Sequence, residues 1–199
     1  KPYGTLPSWE DFNGHGTHCT GIISADGRAS WGGTGVQYPT TSTATKYYVG
    51  MGVAPEARIY SQKIFSAWGS VTETFSWDSF FKDAQDNGAR IHSNSWGEVE
   101  EYADSIYELS DAEYDQAVRD SDFSTTTIQE SMVICVCAGN WGTNGVGNIG
   151  SPGNAKNVIT VGATENYHPD GNTFGDTEGG FPGTADNIDH IASFSSRGL

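Results

Sequence analysis

Apolar and polar positions sort the chain into short apolar-rich runs, which predict strands, and longer amphipathic stretches, which predict helices. Residues 57–65 predict a strand, residues 73–88 a helix closed by its final glycine, and residues 89–94 the next strand. Together they form a βαβ unit. A second unit follows, with a helix over 112–119, a continuous apolar strand over 132–138 and another strand over 158–161. Strands that are apolar on successive residues have no solvated face, so the pattern predicts an α/β fold whose parallel sheet is covered by helices on both sides.

No repeat and no low-complexity linker divides the chain, so one architecture is expected over residues 1–199. Residues 26–48, 98–111 and 168–189 are rich in Gly, Ser, Thr or carboxylates and predict surface rims, the usual place for functional loops and ion sites. Twenty-six glycines against seven prolines, without a fixed period, indicate tight turns rather than a collagen-like chain.

Ten Lys and Arg against 25 Asp and Glu give a net charge of −15, which opposes binding to a phosphate backbone and excludes nucleic acid as the expected partner. No apolar run approaches the ~20 residues of a membrane helix, and the first residues do not form a signal peptide. The piece is therefore expected to be soluble, with no membrane partner and any export signal outside it. Cys135 and Cys137 lie two apart on a predicted strand, where parallel side chains are about 6.5 to 7 Å apart and a disulfide wants β-carbons near 4 Å. With Cys19 they are expected to be buried free thiols.

The chemistry concentrates in a few short stretches. Residues 13–21 read Asn-Gly-His-Gly-Thr-His-Cys-Thr-Gly, and the glycines on either side of His15 leave room for a substrate backbone and a nucleophile at its imidazole. The small residues that follow allow a helix to pack closely. Asn140, just after the apolar strand 132–138 and between Gly139 and Trp141, falls in an open loop at the carboxyl end of a parallel strand, where α/β proteins place their sites.

The block His15-Gly16-Thr17-His18 resembles the histidine segment of the subtilases, the subtilisin-like serine proteases. The likeness runs on in family order through Gly52-Val53-Ala54-Pro55, Ser93-Asn94-Ser95-Trp96-Gly97, Ala138-Gly139-Asn140, residues 151–163 and residues 192–198. Residues 88–97 and 155–166 look most like the oxidatively stable alkaline proteases, which implies a β-sandwich domain beyond Leu199. The resemblance implies a subtilisin-like three-layer α/β sandwich, here incomplete, and a secreted endopeptidase. Within it His15 is the general acid and base, with His18 structural, and Asn140 is the oxyanion donor. Ser95, Trp96, Gly97, Ala138 and Gly139 line the two walls of the cleft that receives protein or peptide substrate; Trp96 reads equally well as an aromatic capping the core. The resemblance also implies structural calcium but no catalytic cofactor.

The triad mechanism also needs a serine and a carboxylate. Asp11, four positions before His15, is too near to be the family's aspartate and reads as a loop carboxylate. The Gly-Thr-Ser motif of the nucleophile is absent, Gly142-Thr143-Asn144 and Gly183-Thr184-Ala185 being superficial relatives. Both groups are expected outside these 199 residues, on remaining segments of the catalytic domain, and the chain alone is expected to be inactive. Two other chemistries are weaker. A Cys19 nucleophile paired with His15 needs a bent helix, and zinc on His15, His18 and Cys19 lacks a fourth-ligand pattern. For calcium, residues 170–189 offer hard oxygen ligands. The alternative to an enzyme is a catalytically inactive subtilase-like module that holds peptides in the same cleft.

Overall fold

A computed structural model describes residues 9–28, 37–38, 47–48, 50–66, 76–98, 106–125, 130–165, 187 and 189–199. The chain forms two compact units, Lys1–Ser76 and Trp77–Leu199.

In the first unit, helix α1 runs over His15–Ser24, and the two-residue strands β1 (Gln37–Tyr38) and β2 (Tyr47–Tyr48) pair antiparallel. Residues 52–54 return along the end of α1, with Gly52, Val53 and Ala54 donating their N–H groups to the carbonyls of Ala25, Ile22 and Ile23. A Cβ on Gly52 would lie 2.6 Å from the Ser24 nitrogen, so only glycine allows this approach. Residues 57–65, expected as a strand, form none. Ile64 is their one buried residue, and only Lys63 and Phe65 take single bridge positions, too few to make a continuous strand.

The second unit holds a three-stranded parallel sheet in the order β3 (Ile91–Asn94), β4 (Val133–Cys137), β5 (Ile159–Val161). Helix α2 (Trp77–Asp86) precedes β3, and its end is closed by Gly88 at φ 91, as the sequence predicts. Helix α3 (Leu109–Arg119) connects β3 to β4 and starts three residues earlier than expected. Its cap explains the difference: the Asp111 carboxylate accepts the Glu108 N–H at 2.8 Å in a reciprocal capping box, so an acidic rim residue becomes part of a helix start.

Both helices cover one face of this sheet. Phe80, Phe81, Ala84, Tyr114 and Ala117 pack with Ile134 and Val136 of the central strand, and each is buried. The opposite face carries Ile91, Val133, Ile159 and Val161, which remain 46% to 68% exposed. The central strand β4 is apolar on both sides, as predicted, whereas β3 buries the polar His92 and Asn94; among the described residues this unit supplies one helical layer instead of two, which makes it an incomplete α/β sandwich.

His92 sits inside the covered face with its ring 4.8 Å from that of Phe80 and 5.1 Å from that of Phe81, both edge-on. Burial lowers its pKa to about 4, a hydrogen bond with Asn94 acting in the opposite direction. The folded state thus resists a proton that the unfolded chain takes up near pH 6.5. Stability is complete above that pH and is lost as the pH falls toward 4, by roughly 3 kcal/mol in all. Urea unfolding of the complete protein across this range is expected to show that loss. His92→Gln is expected to lack its share of the slope, and an identical slope in both proteins would contradict it.

Candidate active site

The loop before α1 is shaped by backbone needs. Gly14 takes φ 83, a left-handed value that suits glycine, and leaves the helix without a capping side chain at that position. Asp11 supplies the missing acceptor. Its carboxylate receives the Gly14 N–H at 2.9 Å, the Thr17 N–H at 2.8 Å and the Thr17 hydroxyl at 2.7 Å. These bonds, led by the Thr17 hydroxyl, lower its pKa to about 2, so it stays ionised at the positive end of the helix. Asp11 is therefore a loop carboxylate that starts α1, as expected from its spacing.

His15 is the first helical residue and is exposed, its own N–H held by the Asn13 side chain at 3.3 Å. His18 is also exposed. Cys19, expected to need a bent helix to reach His15, shares its face: the sulfur lies 3.9 Å from Nδ1 and 3.8 Å from Nε2. A point equidistant from both nitrogens is aligned with the lone pair of neither. His15, His18 and Cys19 form no metal-binding group of three, and the described residues contain none elsewhere. Residues 170–189, expected to hold calcium, lie outside the described residues except Asn187 and Asp189.

In the second unit the parallel register brings the carboxyl ends of β3 and β4 side by side, with Asn94 opposite Val136. Ser95, Trp96 and Gly97 continue from β3, and Ala138, Gly139 and Asn140 from β4. The Cys137 thiol donates to the Trp96 carbonyl at 3.6 Å, and the Ala138 N–H to the Val161 carbonyl at 2.9 Å. The indole of Trp96 stacks on Trp77 at 5.3 Å and meets Tyr114 edge-on at 6.3 Å. Its ring caps the aromatic core of α2 and α3, and its backbone is what remains beside β4.

Ala138 is buried and Gly139 half-buried, whereas Asn140 is exposed. Gly139 takes φ 104, turning the chain out of the strand just before Asn140. Among the described residues the Asn140 amide has no hydrogen-bond partner, so it is open to a ligand.

The loop that presents Asn140 is held by residues to which the sequence reading assigned no such task. Ser196 bonds to both neighbours of Asn140, the Asn148 amide donates to the Trp141 carbonyl at 2.8 Å, and the Gly142 N–H donates to the Phe194 carbonyl at 2.8 Å. The segment 150–153, with a cis Ser151–Pro152 bond, runs against residues 97–98, where the Glu98 N–H donates to the Ser151 carbonyl at 2.8 Å. A Cβ on Gly150 would lie 2.9 Å from the Glu98 carbonyl. All three cysteines are free, as expected, but half-buried rather than buried. The arrangement offers two backbone edges and an unoccupied amide at the ends of adjacent strands, and an exposed imidazole in the first unit.

Known proteins resemble this chain over most of its length. The model of the subtilase family matches residues 2–199. Serine protease AprX of Bacillus subtilis is 33% identical over 198 residues, covering 94% of this chain and 35% of its own length. Subtilisin Savinase of Lederbergia lenta and M-protease of Shouchella clausii are each 27% identical over 164 residues, or 80% of this chain, and 45% and 32% of their own lengths. The chain thus spans about a third to under a half of the length of these relatives.

Proposed function

The chain belongs to the subtilase family, and from that premise we propose that the complete protein is a serine endopeptidase working through an acyl-enzyme, with His15 and Asn140 in its machinery. The observation that carries this reading is Asn140 itself, an exposed amide without a partner on a braced loop at the carboxyl end of the central parallel strand.

In this reading the hydroxyl of a serine outside these 199 residues attacks the scissile carbonyl carbon while His15 takes its proton. The carbonyl π electrons move to oxygen, and the Asn140 N–H donates to that oxyanion. Collapse expels the amine, which receives the proton from His15, and leaves the acyl group on the serine. Water, deprotonated by His15, then releases the acid. An aspartate, also outside these residues, orients the imidazole. Residues 95–97 and 138–139 offer their backbone edges to an extended peptide as flanking strands, which holds the bond in place without reading most side chains.

Mixing the complete protein with a peptide p-nitrophenyl ester tests this. An initial burst of nitrophenol equal to the enzyme present, followed by slower turnover and by hydrolysis of the matching amide, is expected. Binding of the peptide with neither burst nor hydrolysis would replace the reading with that of an inactive peptide-holding module.

A further inference from the structure

We propose that Ser196 is a positioning residue that sets the Asn140 amide in place, an inference that rests on the reading of Asn140 as the oxyanion donor. Ser196 is 5% exposed and lies 56 positions from Asn140 in the chain, yet it grips the peptide on both sides of it. Its hydroxyl oxygen accepts the Trp141 N–H at 3.0 Å, and its own N–H donates to the Gly139 carbonyl at 3.0 Å.

The fit is close. Gly139 has φ 104, and a Cβ there would fall 2.9 Å from the Ser196 hydroxyl oxygen, so the hydroxyl sits against the turn that swings Asn140 out of the strand. The far side of Trp141 is fixed separately: Asn148 donates to its carbonyl at 2.8 Å and accepts the Arg197 N–H at 2.9 Å. Residues 196 and 197 thereby carry the loop at two points.

Such a clamp matters because the segment after β4 is not held by a strand ladder. Gly139, Gly145 and Gly147 all take positive φ, and between them lies only the single 3-10 turn Gly142–Asn144. An oxyanion donor contributes by being preorganised where charge develops, and a displacement of about 1 Å can cost ~100-fold in rate. Ser195 provides the contrast. It is also buried, but its hydroxyl accepts the Ala163 N–H at 3.0 Å, donates to the Ser196 carbonyl at 3.4 Å and bonds neither neighbour of Asn140.

The test uses the complete protein, with kcat expressed per active site counted by a serine-directed phosphonate. Ser196→Ala is expected to lower kcat about tenfold while KM stays within about twofold, the pattern of an interaction made in the transition state. Ser195→Ala is expected to leave kcat unchanged, which separates positioning from the loss of any buried hydroxyl. Ser196→Cys, near in volume but a poorer acceptor, is expected to fall between the two and serves if the alanine variant does not fold. In an Asn140→Ala background, Ser196→Ala is expected to add no further loss.

Wild-type kcat in both Ser196 variants, or a full additional loss in the Asn140→Ala background, would overturn the positioning role while leaving Asn140 as donor. Unchanged kcat in Asn140→Ala alone would remove the donor reading and this inference with it.

Discussion

Replacing His15 with alanine in the complete protein is expected to lower kcat by about 10⁶-fold with little change in KM, a size taken over from subtilisin itself. The proposed mechanism uses this imidazole at each step, to remove the proton of the attacking hydroxyl, to protonate the leaving amine and to activate water. The fold does not depend on it. His15 is exposed, no residue of α1 is buried, and the helix is started by Asp11 through Gly14 and Thr17. The variant should therefore keep its circular dichroism and melting temperature while losing turnover. A kcat within tenfold of the wild type in a folded variant would remove His15 from the reaction.

Asn140→Ala is expected to lower kcat by about 10² to 10³, or roughly 3 to 4 kcal/mol of transition-state stabilisation, again a magnitude known from subtilisin. KM should change little, because the amide meets a full oxyanion only after attack has begun. Stability should also change little, since the side chain is exposed and has no partner among the described residues. A rise in KM at constant kcat would instead make Asn140 a ground-state contact to the substrate.

Much of this was legible in the sequence wherever one local requirement dictated one residue. The glycine at position 88 ends α2, the apolar run after residue 131 makes the central strand, and Gly14 turns the chain into α1 just before His15. Where pairing over distance decides, local pattern is silent. The strand expected at 57–65 shows only single bridge positions at Lys63 and Phe65, and the start of α3 depends on a side-chain bond between Glu108 and Asp111. Trp96 was readable as cleft wall or core cap, and the stack of its ring on Trp77 is a contact that no local pattern signals.

The candidate site divides in the same way. His15 and Asn140 stand out because glycines surround them, but their supports do not. Ser196 reaches the loop of Asn140 from the far end of the chain, and the Asn148 amide donates to two of its carbonyls, those of Trp141 and Gly145, while accepting from the Arg197 N–H, bonds that no periodicity signals. Cys19 shows a reading that helix geometry corrects. Positions four apart lie on one face, so its thiol comes within 3.8 Å of the imidazole without any bending of the helix.

The central claim is that this chain supplies the base and the oxyanion donor to a serine nucleophile lying outside it. Labelling the complete protein with a fluorophosphonate, followed by peptide mapping, tests that claim most directly. One serine outside residues 1–199 is predicted to take up the label, and His15→Ala is predicted to abolish the uptake. Label on a serine within these residues, uptake unaffected by His15→Ala, or no uptake at all would contradict it.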